Sequence, residues 1–159
     1  MKRSRFKFAI AGGIIGLIIF YGRILWNEYV KVFENYVKFR TYFRITNKWL
    51  MLKERKESLE EYFIENKFKT VAIYGMGALG KHLIEELKNS SFVEISYGID
   101  RNANISNNLI NILTSDDKLP PVDVVVVTPV LEFDMVKEEL CNKVKASFIS
   151  LEEILNEMV

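Results

Sequence analysis

Between Thr70 and Asp100 the chain reads TVAIYGMGALGKHLIEELKNSSFVEISYGID, and few folds accommodate that order of residues. An apolar run, Val71–Tyr74, meets three closely spaced glycines, Gly75, Gly77 and Gly80. Leu79, Leu83, Ile84 and Leu87 then recur at helical spacing, and a second apolar run, Phe92–Ile99, ends in Asp100. The order is strand, glycine turn, helix, strand. A helix between two strands carries the chain back across the sheet, so the strands must pair in parallel.

Each glycine in this turn has a distinct expected task. Gly75 allows a tight turn out of the strand, Gly77 lets the backbone approach a pyrophosphate, and Gly80 lets the helix pack closely on the sheet. Met76, Ala78 and Leu79 complete the loop. An anion would sit at the helix N-terminus, where free N–H groups and the helix dipole favour negative charge. Asp100 falls twenty residues after Gly80. There it can accept hydrogen bonds from ribose hydroxyls, which favours NAD over NADP, although Arg101 beside it can pair with a 2′-phosphate. The plainer alternative is that the glycines only make a turn and Asp100 only caps a strand.

The alternation continues downstream. Asn102–Asn108 reads as a loop, Leu109–Leu113 as a short strand, and Ser115–Pro121 as a second loop. Val122–Val127 (VDVVVV) has the continuous β-branched character of a strand buried on both faces, closed by Thr128-Pro129. A helix over Phe133–Asn142, a strand over Ala146–Ile149 and a helix over Leu151–Met158 follow. The expected fold class is α/β, half of a doubly wound parallel sheet in the order 3-2-1-4-5, preceded by a long helical, membrane-associated segment. Ligands bind such sheets beyond the strands' carboxyl ends at the switch point, here where Gly75–Gly80 and Thr128–Val130 face each other.

The chain's net charge of +1 conceals an asymmetry. Residues 1–56 hold thirteen Lys and Arg against three Glu, whereas residues 57–159 hold nine against eighteen acids. Two parts with different partners are implied. The basic part opens with Lys2, Arg3, Arg5 and Lys7, then fifteen uncharged residues, Phe8–Gly22. Extended through Arg23, whose side chain can snorkel, to Trp26, the run reaches nineteen residues, enough for a short single span, with a segment whose two flanks stay at the cytosolic face as the alternative. Bulky Phe20, Tyr21, Ile24, Leu25 and Trp26 argue against a cleaved signal peptide. Residues 23–74 contain no Gly and no Pro, so a long helix follows. Leu25, Tyr29, Val32, Tyr36, Phe39 and Phe43 recur at alternating intervals of four and three, with Trp26, Val30, Phe33 and Val37 widening the stripe. Two partners suit that face equally over residues 29–52: an anionic membrane surface, or a second copy or other protein packing as a helical hairpin or coiled coil. Ser58-Leu59-Glu60-Glu61 fits a capping box at the start of a further helix, with Leu59, Tyr62 and Phe63 turned toward the sheet. The domains expected are an apolar membrane-associated segment at 1–26, an amphipathic basic and aromatic helical region at 27–66, and a nucleotide-binding domain at 67–159.

Little else carries chemistry. His82 reads as a surface residue, and one histidine with one cysteine, Cys141, makes no convincing metal site. Asp116-Asp117 and Glu138-Glu139 read as solvated charges, so no catalytic residue is assigned. A single cysteine excludes an internal disulfide. The basic N-terminal part could attract nucleic acid, but its apolar neighbour makes a membrane the expected partner.

IYGMGALG, GID and VDVVVVTPV together resemble NAD(P)-binding Rossmann domains. The strand ending in Thr128-Pro129 resembles that of the glucose–fructose oxidoreductase family, which implies a loop beside the nicotinamide end of the cofactor. A membrane segment ahead of IYGxGxxG also resembles the nucleotide-binding region of membrane-anchored enzymes of bacterial capsule and glycan synthesis. The resemblance covers roughly residues 70–155. It implies a site made of Gly75, Met76, Gly77, Ala78, Leu79, Gly80, Asp100, Arg101, Thr128 and Pro129, with NAD or a related dinucleotide as cofactor and a nucleotide sugar as the alternative. The chain departs from those families in lacking a substrate domain and a Tyr-x-x-x-Lys pair. The expected function is therefore a membrane-tethered nucleotide-binding module, cytoplasmic and accessory to polysaccharide synthesis. The alternative is an oxidoreductase or nucleotide-sugar enzyme completed by a partner subunit.

Overall fold

The computed structural model of the chain describes residues 2–102 and 110–159, with side chains from Gly16 onward except that of Ile18. The chain divides into two compact units, Met1–Phe43 and Arg44–Val159. Helix α1 spans Lys2–Glu54 without interruption, as expected where no Gly or Pro intervenes after Gly22. It ends in a Schellman turn: Lys56 adopts φ 62° and the Glu57 N–H donates to the Leu52 carbonyl at 3.0 Å.

The second unit contains α2 (Glu60–Glu65), β1 (Thr70–Tyr74), α3 (Ala78–Leu87), β2 (Glu94–Ile99), β3 (Ile112–Leu113), β4 (Val124–Val127), a 3₁₀ turn (Val130–Glu132), α4 (Phe133–Leu140), β5 (Ser147–Ser150) and α5 (Leu151–Met158). The five strands form one parallel sheet in the order β3-β2-β1-β4-β5. This is a Rossmann-like α/β arrangement with β1 at its centre. The expected third strand shortens to two residues, and the loop expected at 102–108 lies mostly outside the described residues.

Both faces of the sheet are covered, which is why its strands are apolar throughout. Ala72, Tyr74, Val125 and Val127 share one core with Val136 and Leu140 of α4. Their alternates Val71, Ile73, Val124 and Val126 are also fully buried. At the amino edge, Asp123 clamps β4 to β1: its Oδ2 accepts from the N–H groups of Lys69 and Thr70, both at 2.8 Å, and its own N–H donates to Thr70 Oγ1 at 2.9 Å. These bonds hold its carboxyl below the usual carboxylate range.

The end of α1 belongs to this unit. Ile45, Trp49 and Leu52 are buried, as are Leu59, Tyr62 and Phe63 after them. Arg44 pairs with Glu152, and Lys48 bonds Asn156, both on α5. The carboxylate of Glu86 on α3, 8% exposed, is the hub of this packing. It accepts from Trp49 Nε1 at 2.5 Å, from the Leu59 N–H at 2.8 Å and from Lys53.

One expectation is corrected. The capping box at Ser58 does not form: Ser58 Oγ accepts from the Glu60 N–H at 3.2 Å, while the Glu61 N–H goes to the Ser58 carbonyl. Among the described residues, no helix is long and apolar enough to cross a membrane. The membrane segment expected over residues 8–26 falls largely on residues whose side chains lie outside the described ones.

Candidate functional site

Strand register builds the site. Tyr74 stands level with Ile99 on one side and with Val127 on the other. The next residue of each strand, Gly75, Asp100 and Thr128, therefore meets the others at the carboxyl edge. Gly75 turns with φ +91°, a region that glycine enters without strain. Its N–H donates to the Ile99 carbonyl at 2.8 Å. A Cβ on Gly75 would lie 2.7 Å from Pro129 Cδ and 2.8 Å from Thr128 Oγ1. Thr128 is buried, and its hydroxyl donates to the Gly75 carbonyl at 2.9 Å and the Tyr74 carbonyl at 3.1 Å. Thr128 and Pro129 thus brace the turn from the β4 side.

Gly80 sits where α3 comes closest to that turn. A Cβ there would be 2.0 Å from the Gly75 carbonyl oxygen, so no larger residue fits unless the helix moves. Gly77 is different. It precedes α3 with φ −71° and ψ −164°, values open to any residue, and an added Cβ would meet nothing within 4 Å. Gly77 and Ala78 are exposed, whereas Met76 and Leu79 are buried. The first N–H to enter the helical ladder is that of Lys81, donated to the Gly77 carbonyl at 3.1 Å. The preceding N–H groups of Ala78, Leu79 and Gly80 have no intrahelical acceptor. No acidic residue lies in the first turn, and no side chain caps it.

Asp100 reaches back over the turn. Its Oδ2 accepts from the Met76 N–H at 2.7 Å and its Oδ1 from the Asn102 N–H at 2.9 Å. The Met76 N–H is therefore committed to Asp100, and the carboxylate is fixed beside the glycine loop with lone pairs remaining on both oxygens. Arg101 pairs with Glu132 at 3.0 Å, linking the end of β2 to the 3₁₀ turn after β4. Its guanidinium also lies near the Tyr74 phenol and is held in its charged form, by Tyr74 first and then by Glu132. The Tyr74 hydroxyl is buried without a hydrogen bond of normal geometry, and burial raises its pKa despite Arg101.

The structure thus brings together all ten residues expected at the site, in different capacities. Gly77, Ala78, Asp100 and Arg101 face outward or stand at the rim. Gly75, Met76, Leu79, Gly80, Thr128 and Pro129 shape the turn from beneath. His82 lies off the site, its ring edge-on to Trp49 at 6.3 Å. Among the described residues no group of side chains could hold a metal ion. The sequence reading missed Glu132, since nothing local marks an acid on a 3₁₀ turn as the partner of Arg101.

The chain matches no protein family, no curated protein and no solved structure.

Proposed function

We propose that the unit Arg44–Val159 binds a dinucleotide of the NAD type across the carboxyl edge of its sheet. The pyrophosphate rests on the free N–H groups at the start of α3, and a ribose hydroxyl donates to Asp100. Gly77 carries this reading. Neither its backbone angles nor any neighbouring atom requires glycine, and a helix N-cap accepts Ser, Asp or Asn at least as well, so the protein's own packing leaves the choice unexplained. A ligand pressed against the backbone explains it. The uncompensated positive end of α3 supports the same reading.

The chain is then a nucleotide-binding module without catalytic residues of its own, held at an anionic membrane by its basic, apolar N-terminal segment and serving a partner in glycan synthesis. Calorimetric titration of the full chain with NAD, NADP and a nucleotide sugar tests the ligand. NAD should bind, and Gly77→Val should abolish binding while the far-ultraviolet spectrum is unchanged. Asp100→Ala should weaken binding by about 1.5–3 kcal/mol, the value of a hydrogen bond to a charged group. Equal affinity in wild type and Gly77→Val, or no nucleotide bound by the wild type, overturns the reading. Tighter binding of the nucleotide sugar selects that ligand class instead. The membrane part predicts that the chain sediments with membranes and resists high-salt washing, because apolar burial is insensitive to screening.

A further inference from the structure

The nucleotide reading leaves the aromatic stripe of α1 unclaimed. Leu25, Tyr29, Val32, Tyr36, Phe39 and Phe43 are all more than half exposed, from 58% at Tyr36 to 71% at Phe39. Trp26 and Phe33 flank them and are also more than half exposed. The rings are ordered along the helix: Trp26 and Tyr29 have centroids 6.1 Å apart, and Tyr29–Phe33 and Phe39–Phe43 each stack at 6.5 Å.

We propose that this stripe is covered by the same stripe of a second copy of the chain, in a two-stranded coiled coil. Three observations select that occupant. The first is period. The alternation of three and four runs without a slip from Ile18 through Gly22 to Phe43, averaging 3.5 residues per turn. A straight helix drifts about 20° per heptad from such a stripe, so only a supercoiled partner stays in contact along its length. A flat membrane surface imposes no 3.5-residue period.

The second is charge. Arg23, Glu28, Lys31, Glu34, Lys38 and Arg40 all fall off the stripe, and Glu28 pairs with Lys31 at 3.1 Å on the flank. Two copies can meet without like charges opposed. The two glutamates also leave this stretch only weakly attractive to anionic lipid. The third is area. Aromatic side chains carry about 150–250 Å² each, so eight largely exposed side chains offer about 100 Å² apiece. Two copies would bury about 1,600 Å² in total, the size of a standard specific interface. One patch meeting itself also satisfies the two-fold symmetry of a homodimer.

The test uses the full-length chain. The photo-crosslinking residue benzoylphenylalanine replaces Val32 or Phe39, and cells are irradiated before purification. The expected product is a chain–chain adduct of about 37 kDa, twice the 18.5 kDa of one copy. The same probe at Glu34, on the opposite side, should give little of it. Adducts to lipid alone, or to a different protein, overturn the proposal. In purified protein, light scattering should give the doubled mass for wild type. It should give the single mass for Tyr36→Glu combined with Phe39→Glu, with helix content retained by circular dichroism. A single mass for wild type, or a doubled mass for the variant, also overturns it. None of these readouts depends on nucleotide binding.

Discussion

Gly80→Ala should destabilise the sheet unit far more than Gly77→Ala, although both glycines flank the same helix start. A Cβ added at Gly80 would sit 2.0 Å from the Gly75 carbonyl oxygen. Carbon and oxygen normally approach no closer than about 3.3 Å, so α3 must withdraw by about 1 Å. That movement disturbs Leu83, Ile84 and Leu87, all at most 1% exposed, and strains the bond from Thr128 to Gly75. Overpacking of this kind costs about 3 kcal/mol at the upper end of its usual range. Alanine returns about 1 kcal/mol through its better helix propensity, leaving a net loss of about 2 kcal/mol. With a urea m-value of about 2 kcal/mol per molar, the unfolding midpoint should fall by about 1 M. Gly77→Ala meets no atom and keeps an allowed backbone, so it should lose only about 0.7 kcal/mol, the margin by which alanine is the poorer cap. Urea titration followed by the emission of Trp49, buried against α3, reads both variants. An unchanged midpoint for Gly80→Ala, or equal losses for the two, would refute the division of labour among the glycines.

Glu86→Ala removes the shared acceptor of Trp49, Lys53 and Leu59 and should cost about 3 kcal/mol, since three donors lose one largely buried charged partner; urea midpoint and a shifted Trp49 emission check it. The Asp123 carboxyl titrates below its unfolded value, so its contribution is full above the ordinary 3.8 and is lost as pH falls through the lower folded value. Asp123→Asn should therefore flatten the acid limb of stability against pH below about pH 4, and denaturation at graded pH would show it; an unchanged slope refutes the clamp. Ser150→Ala should destabilise α5 by about 1 kcal/mol, the usual value of an N-cap, whereas Ser58→Ala should cost less; paired thermal melts decide.

The order of the sheet was legible because period, glycine and β-branched signals agreed along 70–150. The turn itself was legible for a geometric reason. Gly75 and Gly80 are glycines because of each other: one needs a positive φ, and the other must lie against its carbonyl. That requirement appears in sequence as a fixed spacing. The ties across the carboxyl edge were not legible. Asp100 on the Met76 N–H and Arg101 on Glu132 join residues 24 and 31 positions apart, and no local pattern records such a distance. The ends of α1 and α2 were hidden differently. Lys56 and Lys67 take the positive-φ positions, 62° and 58°, that a sequence reader assigns to glycine.

The clearest limit lies in a repeated tetrapeptide. Ser-Leu-Glu-Glu occurs at 58–61 and again at 150–153, with the same local code for a helix start. At Ser150 the backbone is extended, with ψ 147°, and Oγ accepts from the Glu153 N–H at 3.1 Å as the code requires. At 58–61 the helix cap falls instead on Leu59, with φ −60° and ψ −20°, and Ser58 Oγ turns to the Glu60 N–H. The first site also carries a tertiary tie that the tetrapeptide does not encode: Glu86 takes the Leu59 N–H at 2.8 Å while also holding Trp49 and Lys53. The Leu59 N–H is not a donor of the capping box, so Glu86 fixes Leu59 from outside the motif, and its charged acceptor makes a bond roughly twice as strong as a neutral one does. Ser150 follows β5 directly and its Oγ keeps the Glu153 N–H. One tetrapeptide thus takes two conformations in two tertiary settings, and at 58–61 the added acceptor belongs to the helix whose N-terminus forms the candidate site.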